Sequence, residues 1–376
     1  MSWAIPEYRL PRKALLADIE RILQSGVELR CNQALGRDFT LNDLLDRQGF
    51  NAVVLAIGAH QSRPAGIPGE ENRGVINGID FLREVSADAW RRYDGSAQPQ
   101  HLPELRGKRV GVIGGGDVAI DAARTALRLG AREVHVMYRR TGDDMPAAHL
   151  PEEIEGALHE GVHLHTMVNP IEVLGAGQVT GVRLQRQRLA EFDDSARRKP
   201  VPIENEIYTV NLDYLIPAIG QHPDLSWMGR DELAATRSQT VVVNEAFATS
   251  RPGVFAAGDA VSGPATIVQA VAQGNLVAAA VDEWLRTGRS TRPRFVTDRH
   301  DVVLAHHLED FGSAHRPPSP RVELADREHN FHEVESGFAE QTARDEAKRC
   351  LRCDLEWLDL VGLPRPRDGA GARSAS

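Results

Sequence analysis

The run VGVIGGGDVAIDAARTALRLGAREVHVMYRR, Val110 to Arg140, confines this part of the chain to one supersecondary unit. Val110, Val112 and Ile113 form an apolar run of strand length, and Ala119, Ile120, Ala123, Ala126 and Leu127 recur at helical spacing. Val134 to Tyr138 is a second apolar run at the distance a βαβ unit requires. Between the first run and the helix lies G-x-G-x-x-A, carried by Gly114, Gly116 and Ala119. The first glycine allows a tight turn, the second lets a pyrophosphate approach the backbone, and the small third residue lets helix and strand pack closely. The helix N-terminus adds free N–H groups and the positive end of its dipole.

The end of the second strand selects the coenzyme. An acidic residue there would hold the ribose hydroxyls of NAD, whereas arginine suits the 2′-phosphate of NADP. The chain has Arg139 and Arg140 at that point and no Asp or Glu between Val134 and Arg140. A planar guanidinium can bond a phosphate with two parallel N–H groups, so NADPH is the expected nucleotide. The alternative is a pair of solvated surface arginines.

A length of 376 residues suits two or three domains. The net charge of −9, with no long basic run, argues against nucleic acid as a partner. No stretch of 18 apolar residues exists, so no membrane span is expected. The first residues lack the apolar core of a signal peptide, and three cysteines make no disulfide framework, which favours a cytoplasmic protein.

The pattern predicts a helix over Lys13–Gln24, strands at Val27–Cys31 and Ala52–Ile57, and a mixed-charge lead-in from Arg83 to Leu105. Further on it predicts a helix over Pro151–Glu160 and strands at Val162–His165, Val179–Leu189, Leu212–Ile219 and from Val241. Arg186–Lys199 reads as a hairpin tip, and the part from Thr291 on as a surface wrap, with Pro364–Ser376 disordered. A second motif, TSRPGVFAAGDAVSGPATIVQAVAQGNLVAAAV, Thr249 to Val281, predicts a short buried strand ending at Gly258-Asp259 and a helix from about Thr266. A carboxylate there can bond a sugar-like hydroxyl or serve as a helix N-cap.

Gly258-Asp259 in this setting resembles the flavin-binding aspartate of flavoproteins with two dinucleotide-binding domains. Ala56-Ile57-Gly58-Ala59 resembles their A-T-G crossover, with Ile57 in the threonine place, and Ala218-Ile219-Gly220-Gln221 resembles the second crossover. More narrowly, Ile5-Pro6-Glu7-Tyr8-Arg9-Leu10-Pro11, Tyr138-Arg139-Arg140-Thr141 and Met145-Pro146-Ala147 resemble the small subunit of NADPH-dependent glutamate synthase. The flavin/NADPH part of dihydropyrimidine dehydrogenase shares these patterns. The resemblance runs from Ile5 to Leu285.

It implies an α/β chain with two Rossmann-like domains, the NADP domain (residues 106–222) inserted in a partial FAD domain (residues 1–105 and 223–290), followed by an extension (residues 291–376). It implies that NADPH gives hydride to FAD, which passes electrons to an iron–sulfur partner or larger redox subunit. Arg9 and Leu35 would contact FAD, Asp259 its ribityl hydroxyls, and Thr266-Ile267 the flavin edge. Gly115, Gly116, Asp117 and Val118 would lie under the NADP pyrophosphate. No acid–base residue is implied. A ferredoxin-, formate- or hydrogenase-linked NAD(P)H reductase subunit is the alternative, as is a flavin-free nucleotide-binding subunit. A complete member has its own G-x-G-x-x-G unit ahead of I-P-E-Y-R-L-P. Its place here is open to three readings: a truncated gene, a second chain that carries the unit, or a remnant that no longer binds FAD. Cys350-Leu351-Arg352-Cys353 resembles the start of the family's iron–sulfur segment. A [4Fe–4S] cluster takes four thiolates, so this pair would need ligands from a partner; an unliganded C-x-x-C is the simpler reading. His159, His163 and His165 have no metal spacing and are expected to be solvated or packing residues.

Overall fold

The computed structural model describes residues 1–94, 102–192, 198–229, 233–292, 315–327 and 329–348. Its elements are α1 (Arg12–Gln24), β1 (Val53–Leu55), β2 (Gln61–Ser62), α2 (Gly78–Asp94), β3 (Arg109–Ile113), α3 (Asp117–Arg128), β4 (Glu133–Met137) and α4 (Pro151–His159). There follow β5 (His163–His165), β6 (Val168–Leu174), β7 (Gly181–Phe192), β8 (Arg198–Asn211), β9 (Tyr214–Pro217), β10 (Gln221–His222), β11 (Val254–Ala256), α5 (Asp259–Ser262), α6 (Ile267–Thr287) and α7 (Glu340–Lys348). Two compact units result: Met1–Pro293 with Glu323–Val334, and Arg294–Val322 with Glu335–Ser376.

In the first unit a parallel sheet has the order β5-β4-β3-β9. Val110 lies opposite both Val134 and Tyr214. Strands covered on both faces are rich in apolar residues, which is why the buried Val110, Val112, Val134 and Val136 of β3 and β4 are conspicuous in the sequence. One face receives α3, whose Ala119, Ala122, Ala123 and Ala126 are fully buried, with Phe81, Leu82 and Val85 of α2 beside them. The other face rests on Val173, Val182 and Leu184 of an antiparallel sheet, β6-β7-β8. A separate parallel pair joins β1 to β11 with Val53 opposite Val254. Leu41, Leu233 and Val241 cover one side of it, and Val277 and Ala280 of α6 the other. β2 and β10 pair antiparallel at the two crossovers.

Several expectations are corrected. Val27–Cys31 pairs with no described strand and stays irregular, with Val27 and Leu29 exposed; a strand needs a ladder partner for its N–H and C=O groups. Val241 makes one isolated bridge, to Ala235, and no strand. The expected lead-in from Arg83 is helical to Asp94, because Phe81, Leu82, Val85 and Ala89 give α2 a buried face. Arg186–Phe192 is the end of β7, with Arg188 opposite Val201. The extension after Thr291 returns Glu323–Val334 to the first unit. In the second unit Arg321 and Glu335 form a bridge and an ion pair at 3.3 Å. Pro364–Ser376 lies outside the described residues. No described helix is long and apolar enough to cross a membrane.

The I-P-E-Y-R-L-P segment docks on the back of α3 through buried charge. Arg9 donates to both carboxylate oxygens of Asp121 at 2.9 Å and lies 3.3 Å from Glu153. Arg124 pairs with Glu153 and, at 2.8 Å, with Glu160. Arg128 reaches Glu160 at 2.6 Å, and Arg327 lies 3.7 Å from it. The Tyr8 ring, fully buried, takes the Arg128 guanidinium over its face at 3.9 Å. Val334 N–H donates to the Tyr8 carbonyl at 3.0 Å. Burial alone would raise the Glu160 carboxyl, but the hydrogen bonds from Arg128 and Arg124 hold it down at about 2. Burial pushes Asp121 up to about 6, with Arg9 offsetting part of the rise.

Glu160→Gln leaves Arg124 and Arg128 without their shared counter-charge and is expected to cost about 3–5 kcal/mol at pH 7. Because the folded carboxyl sits near 2 against 4.5 unfolded, the wild-type advantage is complete above 4.5 and fades as pH falls toward 2. Urea unfolding of both proteins between pH 2 and 8 checks this; a gap that stays constant below pH 4 would refute it.

Candidate dinucleotide-binding site

The glycine turn joins β3 to α3. Gly114 has φ +141°, a region open to glycine, and a Cβ built there would strike the Ala218 carbonyl. It would also lie 3.3 Å from the Ala119 Cβ, so the third fingerprint position must be small. Ala218 belongs to the second crossover and is held by its N–H bond to Ile113 O at 2.7 Å. Gly115 is limited differently: a Cβ there would sit 2.7 Å from the Tyr138 ring and 3.1 Å from Met145. Gly116 caps α3 in extended backbone, and its Cβ would meet nothing within 4 Å. That open side is where a pyrophosphate can lie against backbone N–H groups. Asp117 and Val118, in the first turn of α3, are half-buried.

The loop after β4 closes over this turn. Tyr138 O–H donates to the Asp144 carbonyl at 2.8 Å, and Thr141 O–H donates to the Asp144 carboxylate at 2.6 Å. Ala147 N–H donates to Gly115 O at 3.0 Å, with Met145 and Ala147 buried. The Met145-Pro146-Ala147 motif thus packs against the glycines. The structure separates the two arginines. Arg139 is exposed and pairs with no described residue. Arg140 is buried, and its Nε–H donates to the Arg198 carbonyl of β8 at 3.1 Å.

The flavin-type residues sit around β1 and β11. Gly58 and Gly220 both have positive φ, and Arg63 N–H donates to Gly220 O at 3.0 Å, which ties the two crossovers together. Gly258, at φ +68°, donates its N–H to Gln273 Oε1 at 2.7 Å. Burial raises the Asp259 carboxyl above its ordinary value, while Ala265 N–H, bonded to it at 3.2 Å, draws it back. Thr266 forms a capping box with Gln269, so its own N–H is engaged; Ile267 opens the helix, where an N–H has no intrahelical partner. Leu35 is half-buried against the β1–β11 core. Arg9, expected against FAD, has its guanidinium committed to Asp121 and Glu153. The apolar residues Ile267, Val268 and Val271 of α6 face outward, Val268 at 77% exposure. Among the described residues no group of His, Cys, Asp or Glu is arranged to hold a metal ion. Cys350 and Cys353 lie outside the described residues.

The two inner glycines give opposite predictions. Gly114→Ala forces a Cβ into backbone at a left-handed φ and is expected to lower Tm by at least about 5 °C. Gly116→Ala meets no protein atom and is expected to leave Tm within about 1 °C while weakening nucleotide binding by tenfold or so. Thermal melts and calorimetric titration separate the two; a large loss of Tm in Gly116→Ala would contradict the open cradle.

A family model described as pyridine nucleotide-disulphide oxidoreductase matches residues 11–274. The NADP(+)-dependent formate dehydrogenase subunit beta of Moorella thermoacetica is 42% identical over 365 residues, covering 94% of this chain and 49% of that protein. The glutamate synthase small chain (NADPH) of Escherichia coli strain K12 is 32% identical over 292 residues, covering 76% of this chain and 61% of that one. The chain therefore spans about half the length of the first relative and under two thirds of the second. Mycobacterium tuberculosis FprA, solved in complex with NADPH, shares the fold at a TM-score of 0.58 and 18% identity, over 77% of this chain and 76% of that one. With a family model over residues 11–274 and relatives above 30% identity, the chain belongs to the pyridine nucleotide-disulphide oxidoreductase family.

Proposed function

We propose that this chain is the NADPH-oxidising, electron-transfer subunit of a larger redox assembly, with FAD as its second coenzyme and an iron–sulfur protein as the partner that takes the electrons. The observation that carries the reading is the open side of Gly116 together with Arg139, just past β4, which is exposed and pairs with no described residue. Arg139 is the residue free to fork onto a 2′-phosphate, while Arg140 positions the turn by holding β8. When bound, NADPH supplies a hydride and FAD divides the electron pair for one-electron transfer. Asp259 would hold ribityl hydroxyls, and the first turn of α6 would face the flavin edge. Gly58 and Gly220 would carry the chain between the two nucleotide sites. The outward apolar residues of α6 and the unpaired Val27–Cys31 segment would be covered by the flavin and by a G-x-G-x-x-G unit supplied from a further segment or a second chain.

Likeness over nearly the whole chain favours a formate-dehydrogenase-type assembly over glutamate synthase, since the resemblance to the latter stops at 76% of the chain. On either reading Cys350 and Cys353 supply at most two of four cluster thiolates, and the partner supplies the rest.

Arg139→Ala is expected to weaken NADP+ binding by about 10–100-fold, the worth of a charge-assisted bond of about 1.5–3 kcal/mol, and to leave NAD+ nearly unchanged. Calorimetric titration with both nucleotides reads this, and equal losses would remove the NADP assignment. The chain by itself is expected to retain FAD poorly, and addition of a relative's N-terminal G-x-G-x-x-G unit to restore flavin absorbance. Tight stoichiometric FAD on the unaided chain would overturn the proposed need for that unit.

A further inference from the structure

A short 3₁₀ turn, Pro146–His149, carries the Met145-Pro146-Ala147 motif into α4. Its backbone is fixed to the glycine turn: Ala147 N–H donates to Gly115 O, and Leu150 N–H donates back to Ala147 O, both at 3.0 Å. His149 ends this turn and belongs to neither motif. Its Nδ1 lies 2.6 Å from the Pro146 carbonyl oxygen, and its Nε2 lies 3.9 Å from Asp117 Oδ2. Asp117 is the first residue of α3, at the helix end proposed above to meet the pyrophosphate. Its other carboxylate oxygen, Oδ1, is buried and has no hydrogen-bond partner among the described residues.

The proton positions of the ring follow from these partners. A carbonyl oxygen accepts and cannot donate, so Nδ1 carries a proton and donates to Pro146. Nε2 is then the atom that gains or loses the second proton. Bare, it turns a lone pair toward a carboxylate; protonated, it brings a positive charge and a donor N–H to the first turn of α3. That turn has opposing electrostatics. Its free N–H groups and helix dipole attract a phosphate, while the Asp117 carboxylate in the same turn repels one. A positive ring offsets the repulsion. The other nearby carboxylates are engaged elsewhere or stand apart. Asp144 of the loop after β4 accepts from Thr141 O–H, and Glu153 of α4 pairs with Arg9 and Arg124. Asp143 and Glu152 are exposed, and neither forms an ion pair with the ring. Arg139, earlier in the same loop, is exposed and pairs with no described residue.

We propose that His149 is a nucleotide-binding residue: its imidazolium, oriented by the Pro146 carbonyl, serves the pyrophosphate and offsets the charge of Asp117. The loop after β4 then supplies two cations with different tasks. Arg139 selects the 2′-phosphate, whereas His149 strengthens the part that NADP and NAD share. The inference rests on the NADP reading above.

The test titrates two probes into the full chain by calorimetry: NADP+, and adenosine 2′-monophosphate, which keeps the 2′-phosphate and lacks the pyrophosphate. At pH 6, His149→Ala is expected to bind NADP+ about fivefold more weakly than wild type, the worth of a half-exposed charge contact. Adenosine 2′-monophosphate is expected to bind wild type and His149→Ala alike, whereas Arg139→Ala weakens both probes. At pH 8.5 the NADP+ gap between wild type and His149→Ala is expected to close, because an imidazole gives up its charge over this range. The 2′-phosphate titrates in every variant, so the ratio between variants isolates the ring. Equal NADP+ affinities at pH 6, an equal loss for adenosine 2′-monophosphate, or a gap unchanged at pH 8.5 each overturns the proposal. A further readout needs no ligand: imidazole 15N spectra at pH 8.5 are expected to show the His149 proton on Nδ1, and a bare Nδ1 would also overturn it. Absence of NADP+ binding by wild type at pH 6 would defeat the nucleotide reading, while the spectra still decide whether the ring is held by Pro146.

Discussion

The buried ion cluster around Tyr8 is the constraint on which the first unit turns. Desolvating several guanidinium and carboxylate groups is costly, and the cost is offset where geometry is good and remaining N–H groups are bonded. Here Arg9, Arg124, Arg128 and Arg327 share Asp121, Glu153 and Glu160, and the Tyr8 ring face accepts two of the guanidinium groups as a quadrupole partner. The members come from the N-terminal segment, α3, α4 and the returning Glu323–Val334 segment. α3 packs its alanine face on the sheet, and its other side carries the charges that meet the remaining segments. Charge therefore fixes where they sit, and α3 is held from behind while its N-terminus serves the glycine turn.

The glycine turn depends in the same way on residues far along the chain. Gly114 is pressed by Ala218 from the second crossover, and Gly115 by Tyr138 and Met145 from the loop after β4. A site of this kind is rigid because three segments lock one another, and rigidity is what a backbone cradle needs if its N–H groups are to meet a phosphate without reorganising. Gly116 differs from both: a Cβ added there would meet nothing within 4 Å.

The β1–β11 part is less enclosed. Its core is small, and the first half of α6 turns apolar residues outward. A flavin and a neighbouring α/β unit would both lower the free energy of that surface, which joins the coenzyme proposal to the assembly proposal through one physical need. The Arg9 guanidinium, which the motif implies at the flavin, is bonded to two carboxylates of the ion cluster.

Periodicity and glycine spacing were enough to read β3, α3, β4, α1 and α6 to within a residue or two, because fully buried parallel strands and capped amphipathic helices write their geometry into local sequence. The glycine turn was legible for the same reason: a tight turn, a close approach and a helix N-terminus each demand a residue type. The long β7–β8 hairpin was read short and α2 was missed, since half-exposed strands and a helix rich in charge carry weak local signals. Only the tertiary structure decided that Arg139 faces outward while Arg140 is buried, that Val27–Cys31 lacks a ladder partner, and that His149 comes within 3.9 Å of Asp117. Those outcomes depend on which segments lie side by side, a pairing of residues up to dozens of positions apart that no local pattern of side chains encodes.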